Sequence, residues 1–183
     1  MRKRSIMAVF MILLLFGCAV QRIPFPETEY AGLELSGDKT LTGTIFLIDQ
    51  LEEKQVGAGS VVTLEPITSY SNHWYEMSYQ RNKAIEEADP RYEKYIRKTT
   101  ADPEGRFTFT DVGPGEYFLH GPVYWEATTC SANVVKTKVM ICKKISVGAD
   151  DAVVDIDLTK EYKSPTLTCD LYTQGAWEKG WGN

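Results

Sequence analysis

The chain has 183 residues, with 20 Lys+Arg against 25 Asp+Glu and a formal net charge of −5. That acidic balance excludes a surface built for nucleic-acid phosphates, which needs a basic face. Aromatic residues at 11%, including ten tyrosines and four tryptophans, exclude a disordered chain.

The N-terminus opens with a basic block, Arg2-Lys3-Arg4, followed by an apolar run from Ile6 to Phe16. The run is too short for the ~20 residues of a transmembrane helix and fits the core of a secretion signal. Gly17-Cys18 closes it, and Leu15-Phe16-Gly17-Cys18 resembles the lipobox of bacterial lipoproteins. That resemblance implies cleavage before Cys18, a diacylglycerol on its thiol and an acylated amine. One acyl chain holds a protein only marginally, whereas three make attachment effectively permanent. Ala19 is not acidic, and the family rule then implies the outer membrane, periplasmic side. The expected organisation is a signal at 1–17, a lipid-anchored tether at 18–38, a folded domain at 39–160 and a tail at 161–183. Without residues 1–17 the chain has 17 Lys+Arg against 25 Asp+Glu, so contact with the bilayer is expected through the anchor rather than the surface.

With Cys18 lipidated, Cys130, Cys142 and Cys169 remain in an oxidising compartment. If Ser131-Ala132-Asn133 is a turn, Cys142 lies about eight strand residues beyond it. That is ~26 Å from Cys130, far outside bridging range. A disulfide is therefore expected between Cys169 and either Cys130 or Cys142, with one thiol left over.

The tether shows no period of either kind; Pro24, Pro26, Gly32 and Gly37 are scattered through it. Strands are expected at 39–48, 60–65, 95–101, 106–110, 116–125, 134–147 and 152–158, from β-branched and aromatic content and from alternation. Phe107 and Phe109 face one way and Thr108 and Thr110 the other, while Val154, Ile156 and Leu158 alternate with Asp155 and Asp157. Turns are expected at 55–59, at Asp102-Pro103-Glu104-Gly105 and at Gly113-Pro114-Gly115. Residues 67–94 break the pattern. There Ser71 or Asn72 can cap a helix whose one face runs Trp74, Met77, Ser78, Arg81, Ile85 and Ala88. Asp89-Pro90 then starts a further turn carrying Tyr92, Tyr95 and Ile96. The expected fold is mainly β: a seven-stranded antiparallel sandwich with a short helical insertion.

Asp102, Gly105, Phe107, Phe109, Val112, Pro114, Gly115, Tyr117 and Leu119 stand at the spacing of a known signature. It resembles the carboxypeptidase regulatory-like domain, a transthyretin-like, Ig-like seven-strand sandwich common in bacterial envelope proteins. The resemblance covers roughly residues 40–160, with Gly113 where the family often has a second proline. It implies a non-catalytic module, found beside carboxypeptidases and also alone in lipoproteins.

Catalytic signals are sparse. There are two histidines, His73 and His120, without Cys-x-x-Cys or a third ligand, so no metal site or cofactor is expected. No Gly-x-Ser-x-Gly and no phosphate-cradling glycine loop occurs. Asp150, Asp151, Asp155 and Asp157 have Ca²⁺-ligand chemistry, but read better as a solvent face balanced by Lys143 and Lys144. Binding is the better reading of the aromatics. Tyr70, Trp74, Tyr75 and Tyr79 in the insertion, with Trp177 and Trp181 in the tail, are candidate binding-surface residues, although Trp74 also suits a helix capping the sandwich. The expected function is a non-enzymatic, lipid-anchored envelope module that binds or scaffolds an envelope protein or a glycan. The alternatives are a lipoprotein of a secretion or envelope assembly, as transthyretin-like lipoproteins serve there, and a carboxylate-dependent hydrolase.

Overall fold

A computed structural model describes residues 19–49, 52–128 and 134–162. The elements are α1 (Glu27–Ala31), β1 (Ser36–Ile48), β2 (Lys54–Val56), β3 (Val61–Pro66), α2 (Ser69–Trp74), a π-helical turn (Tyr75–Gln80) and a 3-10 turn (Pro90–Tyr95). They continue with β4 (Arg97–Thr100), β5 (Arg106–Val112), β6 (Gly115–Thr128), β7 (Val134–Val147) and β8 (Val153–Glu161). The strands form two four-stranded sheets enclosing one apolar core. No helix among the described residues is long and apolar enough to cross a membrane.

In the first sheet β1 is central. β8 lies along one edge of it, while β5 and then β2 follow end to end along the other. Alternation sets its faces: Leu41, Ile45 and Leu47 are buried, while Thr42, Thr44 and Phe46 are half-exposed. Gly43 lies between the buried residues because a side chain there would meet the Phe107 ring and the Ile156 carbonyl. The second sheet has the order β4-β3-β6-β7. It contributes Val62, Leu64, Leu119 and Ile141 to the core opposite Phe107 and Phe109, whose rings meet edge to face at 6.1 Å. Each fully buried side chain of this size contributes roughly 1.5–3 kcal/mol through removal from water.

All seven expected strands are present, with an eighth, β2, ahead of the turn at 57–60. One pairing departs from the antiparallel expectation: β1 and β8 run parallel from Thr40–Val153 to Ile48–Glu161. Alternation reports which face a residue occupies, not which way the neighbouring strand runs. The Asp102–Gly105 turn forms as expected. Asp102 Oδ1 accepts from the Glu104 and Arg106 backbone N–H groups at 3.0 and 2.8 Å, and Gly105 adopts φ +79°.

The stretch expected as a tether is instead packed. Phe25 stacks on Tyr30 at 4.8 Å and meets Tyr70 edge-on at 5.4 Å, and Tyr30 also contacts Tyr92 and Tyr95. These rings make a second apolar cluster, separate from the sandwich core. Val20 bridges Ile85, Arg22 Nε donates to the Glu86 carbonyl, and β1 begins at Ser36 rather than residue 39. A segment held by isolated aromatic anchors has no period, so its packing could not be read from periodicity.

The insertion is also rearranged. Thr68, rather than Ser71 or Asn72, caps α2: it accepts from the Ser71 backbone N–H while the Ser71 hydroxyl accepts from the Thr68 N–H. The Thr68 hydroxyl also donates to the Tyr30 hydroxyl at 2.8 Å, tying the helix start to the N-terminal segment. After Trp74 the helix widens to a π-helical turn, with Arg81 N–H bonded to the Glu76 carbonyl, and ends at Gln80. The expected face through Arg81, Ile85 and Ala88 therefore does not continue past that point. Asp89 and Pro90 do start the 3-10 turn, with Tyr92 buried and Tyr95 and Ile96 packed beside it.

Candidate binding face on the second sheet

Residues alternate across a strand, so Tyr117, Leu119 and Val123 point into the core, and Phe118, His120, Pro122 and Tyr124 point outward. Register builds rows on this outer face. Glu65, Phe118 and Lys144 form the first row, and Thr63, His120 and Cys142 the second. Pro122 with Met140 and then Tyr124 with Lys138 follow toward the far end of the β6–β7 hairpin. Successive rows lie ~7 Å apart.

The insertion covers the first two rows. Tyr75 stacks on Phe118 at 4.7 Å and on Tyr79 at 5.4 Å, and Trp74 lies against the His120 ring at 4.7 Å. Tyr75 and Tyr79 both lie in the π-helical turn, four residues apart and close enough to stack. Lys144 lies 5.0 Å over the Tyr75 ring, and Lys160 lies 5.2 Å over Tyr79.

Beyond Trp74 the covering stops. The following rows form an open apolar terrace: Val61 (46% exposed), half-buried Pro122 and Met140, and Tyr124 (57% exposed) with Lys138 at 5.7 Å over its ring. The half-buried Trp74 stands as a wall at its inner end. An aromatic wall, an aromatic floor and a flanking ammonium suit a ligand with both apolar faces and polar edges.

Beneath Trp74 lies a buried polar group. Glu65 is only 3% exposed, and its Oε1 is 3.4 Å from His120 Nε2. That is ion-pair distance without hydrogen-bond alignment, and Oε1 has no hydrogen-bond partner among the described residues. Cys142, paired across the sheet with His120, is a free thiol. Burial, reinforced by the Glu65 charge and opposed by Lys144, pushes it up to about 12. A thiol so disfavoured as thiolate is a poor nucleophile at neutral pH. Among the described residues no three His, Cys, Asp or Glu side chains converge as a metal site.

The structure divides the expected surface residues. Trp74, Tyr75 and Tyr79 come together on this face. Tyr70 does not: it is 2% exposed in the second cluster, where its hydroxyl accepts from the Asp89 N–H at 2.8 Å. Cys18, Cys130, Cys169, Trp177 and Trp181 lie outside the described residues. Asp155 and Asp157 accept from the Thr42 and Thr44 hydroxyls, and Lys144 turns to the aromatic rings rather than balancing them. Tyr124, Lys138, Met140 and Glu65 were not singled out from sequence. Alternation places Tyr124 outward, but the register that sets Lys138 beside it is tertiary information. An open cleft lined by Leu33, Leu35, Lys94 and Tyr95 lies elsewhere, beside the N-terminal segment.

No family model matches the chain, and no curated protein matches it. Among solved structures it is similar to a candidate carbohydrate-binding protein from Pseudomonas aeruginosa, with 26% identity and a TM-score of 0.67. The match covers 76% of this chain and 99% of that one. A 9R-lipoxygenase from Cyanothece aligns at 13% identity over 90% of this chain and 21% of that one, with a TM-score of 0.32. A group B streptococcus pilus 2b backbone protein aligns at 16% identity over 69% and 42%, with a TM-score of 0.36. The last two scores are too low to bear on fold or function.

Proposed function

We propose that this protein is a non-enzymatic glycan-binding module, and that the sugar lies on the terrace of Pro122, Tyr124 and Met140 against Trp74. The observation that carries the reading is the similarity to nearly the whole of the Pseudomonas protein, over 76% of this chain, taken with an exposed aromatic platform. An aromatic ring offers an apolar surface to the C–H face of a sugar while polar groups at the rim meet its hydroxyls. The Cys142 thiol is disfavoured as a thiolate, and the Glu65–His120 pair is buried beneath Trp74 rather than open to a ligand on the terrace.

We further propose a family and an address for the chain. The Asp102–Leu119 signature supports membership of the carboxypeptidase regulatory-like group, and the lipobox ending at Cys18 supports a lipid anchor in a bacterial envelope, at the outer membrane facing the periplasm.

Titration calorimetry against a panel of oligosaccharides, including peptidoglycan fragments, tests the glycan reading. At least one saccharide should bind saturably, and Tyr124→Ala should weaken it about tenfold or more with the fold unchanged by circular dichroism. Tyr124 is the clean probe, because its ring is exposed and its truncation costs the core nothing. Absence of saturable binding across the panel overturns the reading.

A further inference from the structure

We infer that the saccharide this face takes is an acidic one, a linear chain bearing carboxylate or phosphate groups laid along β7. The inference rests on the glycan reading and narrows it to a substrate class. The chain as a whole has an excess of acid, 25 Asp+Glu against 20 Lys+Arg. The outward residues of β7 reverse that balance: from Lys136 through Lys138, Met140 and Cys142 to Lys144 there is no acid. On the facing strand an acid, Glu126, stands directly across from Lys136, whereas Tyr124 faces Lys138 and Phe118 faces Lys144.

Lys138 and Lys144 thus face aromatic residues rather than acids across the sheet. Among the described residues neither has a carboxylate at ion-pair distance; Lys138 rests over Tyr124, and Lys144 over Tyr75 and Phe118 at 5.0 and 5.2 Å. An ammonium over a ring face keeps N–H donors free at the rim, where a sugar stacked on the adjacent aromatic surface would carry its substituents. A neutral sugar leaves those cations unanswered, and an acidic one neutralises them. The two lysines are six residues apart on one strand, ~20 Å. One sugar cannot reach both, so a linear chain of several sugars fits, following β7, the edge strand of this sheet, past Trp74 rather than over the covered rows.

The test uses the full chain in micelles of a detergent without a sugar headgroup. It is titrated with an oligogalacturonide long enough to span both lysines, a phosphorylated mannan fragment, a neutral cello-oligosaccharide of equal length, and polyglutamate. At least one acidic saccharide should bind about tenfold or more tighter than the neutral one, and should weaken as salt is raised. The tighter of the two acidic probes names the anionic group. Lys138→Gln and Lys144→Gln should each weaken the acidic saccharide severalfold and leave the neutral one unchanged. Equal affinity for neutral and acidic saccharides overturns the inference and leaves the glycan reading standing. Polyglutamate binding as tightly as the acidic saccharide, and unaffected by Tyr124→Ala, overturns it as a charge patch without sugar recognition. If no saccharide binds, both readings fall.

Discussion

Asp89 starts the 3-10 turn through a single neighbour. Its Oδ1 accepts from the Arg91 backbone N–H at 2.9 Å and from Arg91 Nε at 3.0 Å, and its Oδ2 accepts from Nη2 at 2.9 Å. These bonds, side chain first and backbone second, lower the carboxyl from 3.8 to about 2. A folded-state value below the unfolded one means that the fold favours the ionised form. Its contribution is present above 3.8 and is lost as pH falls toward 2. Melting temperature followed between pH 5 and 2 should therefore decline less steeply in Asp89→Asn than in the parent. Asp102, lowered by Arg106, and Asp38, lowered by Lys39, keep part of the decline in place. An unchanged slope would show that Asp89 is not held in its ionised form. Residues of this kind are legible in sequence, since Asp before Pro and two before Arg is a local pattern. Tyr70 is the opposite case. Nothing local distinguishes it from Tyr75, yet one is buried against Phe25 and Tyr92 and the other lies on the sheet.

At the scale of elements, strands were legible because half-burial writes a period of two into the chain. The Phe107–Phe109 and Val154–Leu158 alternations were enough to place β5 and β8 and to orient them. Their partners were not legible, and the parallel β1–β8 pair is where this matters most. Gly43 sits in that pair, where an added Cβ would fall 1.9 Å from the Ile156 carbonyl oxygen and 2.8 Å from the Phe107 ring. The obstacle on one side is backbone, so the strands themselves must separate. Gly43→Ala should cost about 1–3 kcal/mol or more in denaturant unfolding, in the manner of an overpacked core. A loss within 0.5 kcal/mol would mean that β8 can move away from β1 freely. The π-helical turn lies outside sequence reasoning for a related reason. Tyr75 at its start, and Trp74 just before it, pack on Phe118 and His120, which belong to a strand some forty residues later.

For the molecule as a whole, the N-terminal segment packs against both apolar clusters, Phe25 and Tyr30 in the second and Leu35 against the sandwich core. Residues 19–35 are packed against the insertion through Phe25, Tyr30 and Val20, and the Gly113 N–H donates to the Leu35 carbonyl beside the β5–β6 turn. If Cys18 is lipidated, no long free spacer follows it. The sandwich would sit close to the bilayer surface. Replacing Cys18 with Ser should move the protein from the membrane fraction to the soluble or secreted fraction, as followed by immunoblot after fractionation. Retention in the membrane fraction would falsify the lipid anchor.

The sequence by itself determined the class of object: strands by their alternation, one hairpin by Asp102 and Gly105, an interrupting helical stretch, and an N-terminus with the form of a lipoprotein signal. These are local properties, written in neighbours two to four residues apart. The tertiary structure alone decided that β1 and β8 run parallel, that an aperiodic leader packs as an aromatic cluster, and that Trp74 walls a terrace floored by Tyr124 and Met140. Each of these depends on contacts between residues far apart in the chain. Local periodicity carries no record of such contacts, because packing is settled only when distant faces compete for the same buried surface.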